Sequence, residues 1–131
     1  MSGPDGSTAE QNGPPGPDTE AAVRHGPRTG RISIEMKSGP ETITIFVAGE
    51  LDLVTMPFLA EQLTLVSRDK PGRLVFDLGG THFMDCGSAR LIAGAGQRLP
   101  GGGRPVIRRP GPGVRRILEL TGLDAHCEIE P

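Results

Sequence analysis

The sequence contains no Trp and no Tyr, and its aromatic residues are Phe46, Phe58, Phe76 and Phe83 alone. Aliphatic Leu, Ile and Val must therefore supply most of any buried core, and platforms on which nucleic-acid bases could stack are scarce. An excess of one charge is missing too: 14 Lys and Arg stand against 16 Asp and Glu, a formal net charge of −2. A protein that works by neutralising phosphate backbones needs a basic surplus, so nucleic acid is not the expected partner. No apolar run approaches the roughly 20 residues that cross a bilayer. The N-terminus is rich in Gly, Pro and acidic residues rather than basic and then apolar, so neither a membrane helix nor a signal peptide is visible. Cytoplasm is the expected location. Cys86 and Cys127 are too few for a disulfide scaffold and lack the C-x-x-C spacing of zinc ligands, so reduced thiols are expected. His25, His82 and His126 stand singly, which predicts no metal and no cofactor.

What is present divides at about Gly30. Residues 1–30 are dominated by Gly, Pro, Ser, Thr and acidic side chains, as in Asn12-Gly13-Pro14-Pro15-Gly16-Pro17. Such a stretch cannot bury enough apolar area to offset the entropy lost on ordering and is expected to be a disordered tail. Residues 31–131 form the expected domain. Arg31 to Met36 and Thr42 to Val47 alternate apolar and polar across Ser38-Gly39-Pro40, the pattern of a β-hairpin with one buried face. Thr55 and Pro57 then open a helix carrying Leu59, Leu63 and Val66 on one stripe. Arg73 to Leu78 is a nearly continuous apolar run between turn residues, as in a central strand that pairs in parallel. A second helix holds Leu91, Ile92, Ala95 and Leu99, weakened by Gly94 and Gly96 and stopped at Pro100-Gly101-Gly102-Gly103. Arg104 to Ile107 reads as a strand in which Pro105 requires an edge or a strand start. Val114, Ile117, Leu118 and Thr121 stripe a third helix ended by Gly122, and His126 to Glu130 adds a final short strand. The order β-β-α-β-α-β-α-β predicts an α/β domain, a mixed sheet of four to five strands packed against helices.

Three segments in order resemble the STAS domain family of bacterial anti-sigma factor antagonists. Val47 to Thr55 is similar to its G-E-L-D-x-x-T segment. Leu74 to Leu78 followed by Phe83-Met84-Asp85 resembles V-x-D-L…F-M-D-S-S-G, and Val114 to Leu123 resembles V-x-R-x-L-x-x-x-G-L. The resemblance implies a non-enzymatic binding module. Its partner would be an anti-sigma factor, a serine kinase of the histidine-kinase-like ATPase fold, whose capture frees a sigma factor. In phosphorylatable members that kinase modifies the Ser after F-M-D, and a phosphatase, implied as a second partner, restores it. The implied partner-binding residues are Asp52, Thr55, Asp85, Cys86, Gly87, Ser88 and Arg90, on a protein expected to be monomeric.

The chain departs from this pattern where S-S-G-L becomes Cys86-Gly87-Ser88-Ala89. Cys86 occupies the phosphoacceptor position, and Ser88 is either a relocated phosphorylation site or a helix-start residue bonding backbone amides. Met84 to Ser88 lies between a strand end and a helix start, where backbone amides and the positive dipole end accommodate a negative group. The alternative function is a redox- or ligand-sensing module acting through Cys86, since a helix N-terminus favours the thiolate that oxidises. Against it stands Cys86 as a small, semi-buried replacement for Ser; a Cys86–Cys127 disulfide is a weaker expectation. A phosphorylation-independent scaffold subunit is a third reading. Asp52 and Asp85 read as a turn-stabilising Asx contact and a helix cap rather than as a catalytic pair. Arg104, Arg108, Arg109, Arg115 and Arg116 form either a solvated face, favoured by the net charge and the lack of aromatics, or a nucleic-acid or anionic-ligand surface.

Overall fold

Order begins earlier than composition suggests. A computed structural model describes residues 22–130, and in it Ala22–Arg28 forms strand β1, inside the segment expected to be a tail. The rest of that expected tail, residues 1–21, lies outside the described residues. β1 pairs antiparallel with β2 (Ile32–Ser38), with its register interrupted between His25 and Arg28, where Gly26-Pro27 intervenes. Composition misses this strand because Val23 to Arg28 contribute no side chain to the core. A polar edge strand needs only a neighbour's free ladder groups, not an apolar face.

β2 turns at Gly39, whose N–H donates to the Thr42 carbonyl at 2.8 Å, into antiparallel β3 (Thr42–Leu51), the expected hairpin. Alternation points Ile32, Ile34, Met36, Ile43, Ile45 and Val47 to one face, where all are buried. Helix α1 (Met56–Arg68) buries Leu59, Leu63 and Val66, the stripe read from sequence, together with Gln62. β4 (Arg73–Met84) then runs parallel to β3 through the centre of the sheet and buries Leu74 to Leu78 without a break. Helix α2 (Cys86–Gly94) passes into a 3-10 turn at Ala95–Arg98 rather than continuing as α-helix to Leu99. Gly94 and Gly96 leave the last turn without helix-favouring side chains, and packing of Ala95 and Leu99 holds it instead.

β5 (Val106–Arg108) starts directly after Pro105, at the strand-start position that Pro tolerates. Helix α3 (Pro112–Thr121) ends on Gly122 in the left-handed conformation, with φ 73°. A 3-10 turn, Leu123–His126, leads to β6 (Glu128–Glu130). Among the described residues the sheet has six strands, in the order β1-β2-β3-β4-β5-β6, rather than four to five. The first three are antiparallel and the remainder pair in parallel. One core unites the inward sheet residues with Leu59, Leu63, Ala89, Ile92, Val114 and Leu118, so the three helices cover the same sheet face. The consequence for function is geometric. β3 and β4 end side by side, and the loops that leave them emerge together at one end of the molecule.

Candidate functional site

The segment Gly49 to Thr55 closes β3 and builds the first of these loops. Gly49 has φ 110°, and a Cβ there would lie 2.1 Å from the Arg31 carbonyl oxygen, so only glycine lets the two backbones approach. That approach permits the Glu50 N–H to donate to the Arg31 carbonyl at 2.9 Å. Leu51 is sealed in the core. Asp52 Oδ1 then accepts the N–H groups of Val54 and Thr55, each at 3.0 Å, the Asx-type contact expected from sequence.

Thr55 was expected to cap α1 and does something different. Its side chain makes no cap bond to the helix. Its hydroxyl donates to the Glu50 carbonyl at 2.6 Å and accepts from the Asp52 N–H at 3.0 Å, which cross-links the loop from inside. The hydroxyl is consumed there, and Thr55 is 1% exposed.

The second loop leaves β4 beside the first. Leu51 pairs with Met84 across the sheet, and the Asp85 N–H donates to the Leu51 carbonyl at 3.0 Å. Asp85 caps α2 as expected, its carboxylate accepting the Ser88 N–H at 2.8 Å. Ser88 contradicts its expected role of bonding backbone amides through its hydroxyl: Oγ is buried with no hydrogen-bond partner, and the residue is 0% exposed. Cys86 also departs from expectation, being exposed rather than semi-buried. Cys127 is a separate, buried free thiol, so the Cys86–Cys127 disulfide is not formed. Burial pushes the Cys127 thiol up to about 11, with Asp124 adding to the shift and Arg104 opposing it. Gly87 and Arg90 are exposed on the first turns of α2.

Sequence reasoning missed Arg31. It lies in the β1–β2 turn, fixed by Thr29 Oγ1, which accepts the N–H groups of Arg31 and Ile32 at 3.0 and 3.2 Å. From there its guanidinium reaches Glu50 Oε1 at 3.0 Å and bonds Asp52 Oδ2. The Thr55 N–H above all, with the Val54 N–H and the Arg31 charge, holds the Asp52 carboxyl below the usual carboxylate range. The hydrogen bond to Glu50 and the charge of Asp52 raise Arg31. The detectable signal was a basic residue ahead of the hairpin, but only the β2–β3 register, which pairs Ile32 with Gly49, sets it beside Glu50.

The loops also display apolar side chains that periodicity could not assign. Leu53 is 78% and Val54 64% exposed, and Phe83, paired with Glu50 on β4, is 52% exposed. Of the five arginines read as one face, three are spoken for. Arg104 donates to the Ala125 carbonyl, Arg108 to Glu130, and Arg109 to the buried Asp77 at 2.9 Å, while Arg115 and Arg116 are exposed on α3. Among the described residues no His, Cys, Asp and Glu cluster could hold a metal ion, and no helix is long and apolar enough to cross a membrane.

A six-stranded mixed sheet with helices on one face and two joined loops at the ends of its central strands defines a small α/β module whose distinctive surface is exposed and partly apolar. The family model of the STAS domain matches residues 33–131, and the chain belongs to that family. It is similar to the anti-sigma-F factor antagonist RsfB of Mycobacterium tuberculosis, in strains CDC 1551/Oshkosh and ATCC 25618/H37Rv, at 30% identity over 78 residues. The match takes in 60% of this chain and spans 64% of those relatives' length. The crystal structure of an anti-sigma factor antagonist from Mycobacterium paratuberculosis superposes with a TM-score of 0.70 at 29% identity, over 76% of this chain and 86% of that one. The anti-sigma factor antagonist SpoIIAA in its unphosphorylated form shares the fold, with a TM-score of 0.59 at 20% identity over 84% and 89% of the two chains.

Proposed function

We propose that this protein is an anti-sigma factor antagonist: a cytoplasmic, monomeric, non-catalytic module that binds an anti-sigma factor of the histidine-kinase-like ATPase fold and so frees a sigma factor. The observation that carries this reading is the junction of the two loops. Asp52 and Thr55 fall on the connection that leaves β3, Asp85 on the one that leaves β4, and Cys86, Gly87, Ser88 and Arg90 on the first turns of α2, the two connections being joined by the Asp85 to Leu51 backbone bond. The carboxylates of Asp52 and Asp85 are occupied by backbone N–H groups, which makes them builders of a surface rather than an acid–base pair. Family membership and the names of the relatives agree with it.

Control by phosphate at Ser88 is disfavoured by the buried hydroxyl, which a kinase could reach only if the first turn of α2 opened. The accessible side chain of the loop is Cys86, whose sulfur does not form the serine ester. Binding is therefore proposed to proceed without a phosphate switch. The test is a three-component assay in which the full chain is added to each purified anti-sigma–sigma complex of its source organism, with and without prior incubation with ATP. Release of sigma by one complex, with no phosphate found by mass spectrometry, is the expected result. Failure to release any sigma overturns the antagonist reading, and phosphate at Ser88 that blocks release overturns the unswitched part alone.

A further inference from the structure

We propose that Leu53 and Val54 determine which anti-sigma factor this chain recognises, and that Arg31 is the positioning residue that holds them outward. The inference rests on the antagonist reading above and deepens it. In the stretch that resembles G-E-L-D-x-x-T, the residues matching fixed letters are turned inward or consumed by the loop itself, except Glu50, which is exposed and bridged to Arg31. Gly49 packs on the Arg31 carbonyl, Leu51 and Thr55 are 0% and 1% exposed, and Asp52 accepts two backbone N–H groups and the Arg31 guanidinium. The apolar side chains left for a partner to touch are the pair at the two open positions, 78% and 64% exposed. The fixed letters make the loop, and the open ones give it an identity.

The charges around the pair indicate what it fits. Arg31 bridges Glu50 and Asp52 and offsets one of their two charges, so the trio keeps a single net negative charge that a covering partner must meet with a donor or leave at a solvated rim. Arg90, exposed on α2, has no ion partner among the described residues. The fitting partner is thus an anti-sigma factor with an apolar recess opposite Leu53 and Val54 and a carboxylate opposite Arg90. Arg31 acts through the loop. It is anchored by Thr29 at its own turn and bridges to Glu50 and Asp52, so it fixes the strand end and the Asx turn from which Leu53 and Val54 project.

The experiment titrates the full chain and three variants, Leu53→Ala/Val54→Ala, Arg31→Ala and the combination, against the purified anti-sigma factors of the source organism and the anti-sigma-F factor of Mycobacterium tuberculosis. The double loop variant is expected to lose about 10- to 100-fold in affinity for the factor that wild type binds. Its circular dichroism should be unchanged, since both side chains are exposed. Arg31→Ala is expected to weaken binding about 5- to 30-fold in the wild-type background and less than about twofold when Leu53 and Val54 are already alanine. That non-additivity separates positioning from a general structural role, which would weaken both backgrounds equally. Wild-type binding with unchanged affinity in the loop variant overturns this inference while leaving the antagonist reading intact. Additive losses overturn the role of Arg31, and absence of wild-type binding to every factor overturns both readings.

Discussion

Gly49 carries the sharpest constraint on any single residue. With φ at 110° and the Arg31 carbonyl 2.1 Å from a would-be Cβ, Gly49→Ala must shift both backbones. It should cost at least about 2 kcal/mol in urea denaturation; a variant of wild-type stability would show that the approach is easily relieved. Asp52 makes a pH prediction. Because its carboxyl is held below the usual range by the Thr55 and Val54 N–H groups and by Arg31, its contribution is complete above the unfolded carboxylate value of about 4 and is lost as pH falls through the lower folded value. Amide exchange at Val54 and Thr55, corrected for intrinsic rates, should therefore accelerate relative to β4 only below about pH 4, and Asp52→Asn should abolish that step. The thiols should separate by exposure: Cys86 should label with a thiol reagent in the native protein and Cys127 only on unfolding, since Cys127 is buried and pushed up to about 11. Native labelling of both would contradict the packing around Cys127.

At the scale of elements, those with an apolar period were legible and those held by ladder bonds alone were not. Leu59, Leu63 and Val66, then Val114 and Leu118, announced α1 and α3 because burial of a stripe is what stabilises each helix. Leu118→Ala should accordingly cost roughly 2–5 kcal/mol, measurable in the same denaturation experiment. β1 left no trace because Val23 is 59% exposed and no side chain from Val23 to Arg28 joins the core; the backbone ladder to β2 and the exposed Arg24–Asp69 and His25–Glu35 contacts hold it. Its amides should exchange faster than those of β3 and β4, and equal protection would mean that β1 is tied down by something other than those contacts. The site was legible in the same uneven way. Asp52 and Asp85 could be assigned to turn and cap because those roles are local in sequence. Arg31, the inward hydroxyls of Thr55 and Ser88, and the outward Leu53 and Val54 depend on which way a loop folds back, which no local period encodes.

At the scale of the whole molecule, the parallel pairing of β3 and β4 does the decisive positioning. It brings two loops, far apart in sequence, to one end. The opposite end carries a depression of about 450 Å³, lined by Ser38 to Glu41 of the β2–β3 turn and Asp69 to Gly72 before β4. The proposed site displays the exposed apolar side chains of Leu53, Val54 and Phe83, which suits a macromolecular partner better than a small ligand. The most direct test of that assignment is amide chemical-shift mapping of the isotope-labelled full chain on titration with the anti-sigma factors of its source organism. The account predicts that one of them shifts signals concentrated at Asp52 to Met56 and Phe83 to Arg90. Shifts centred instead on the Ser38 to Glu41 and Asp69 to Gly72 end, or on the sheet face opposite the described helices, would contradict it, as would the absence of any shift with every factor.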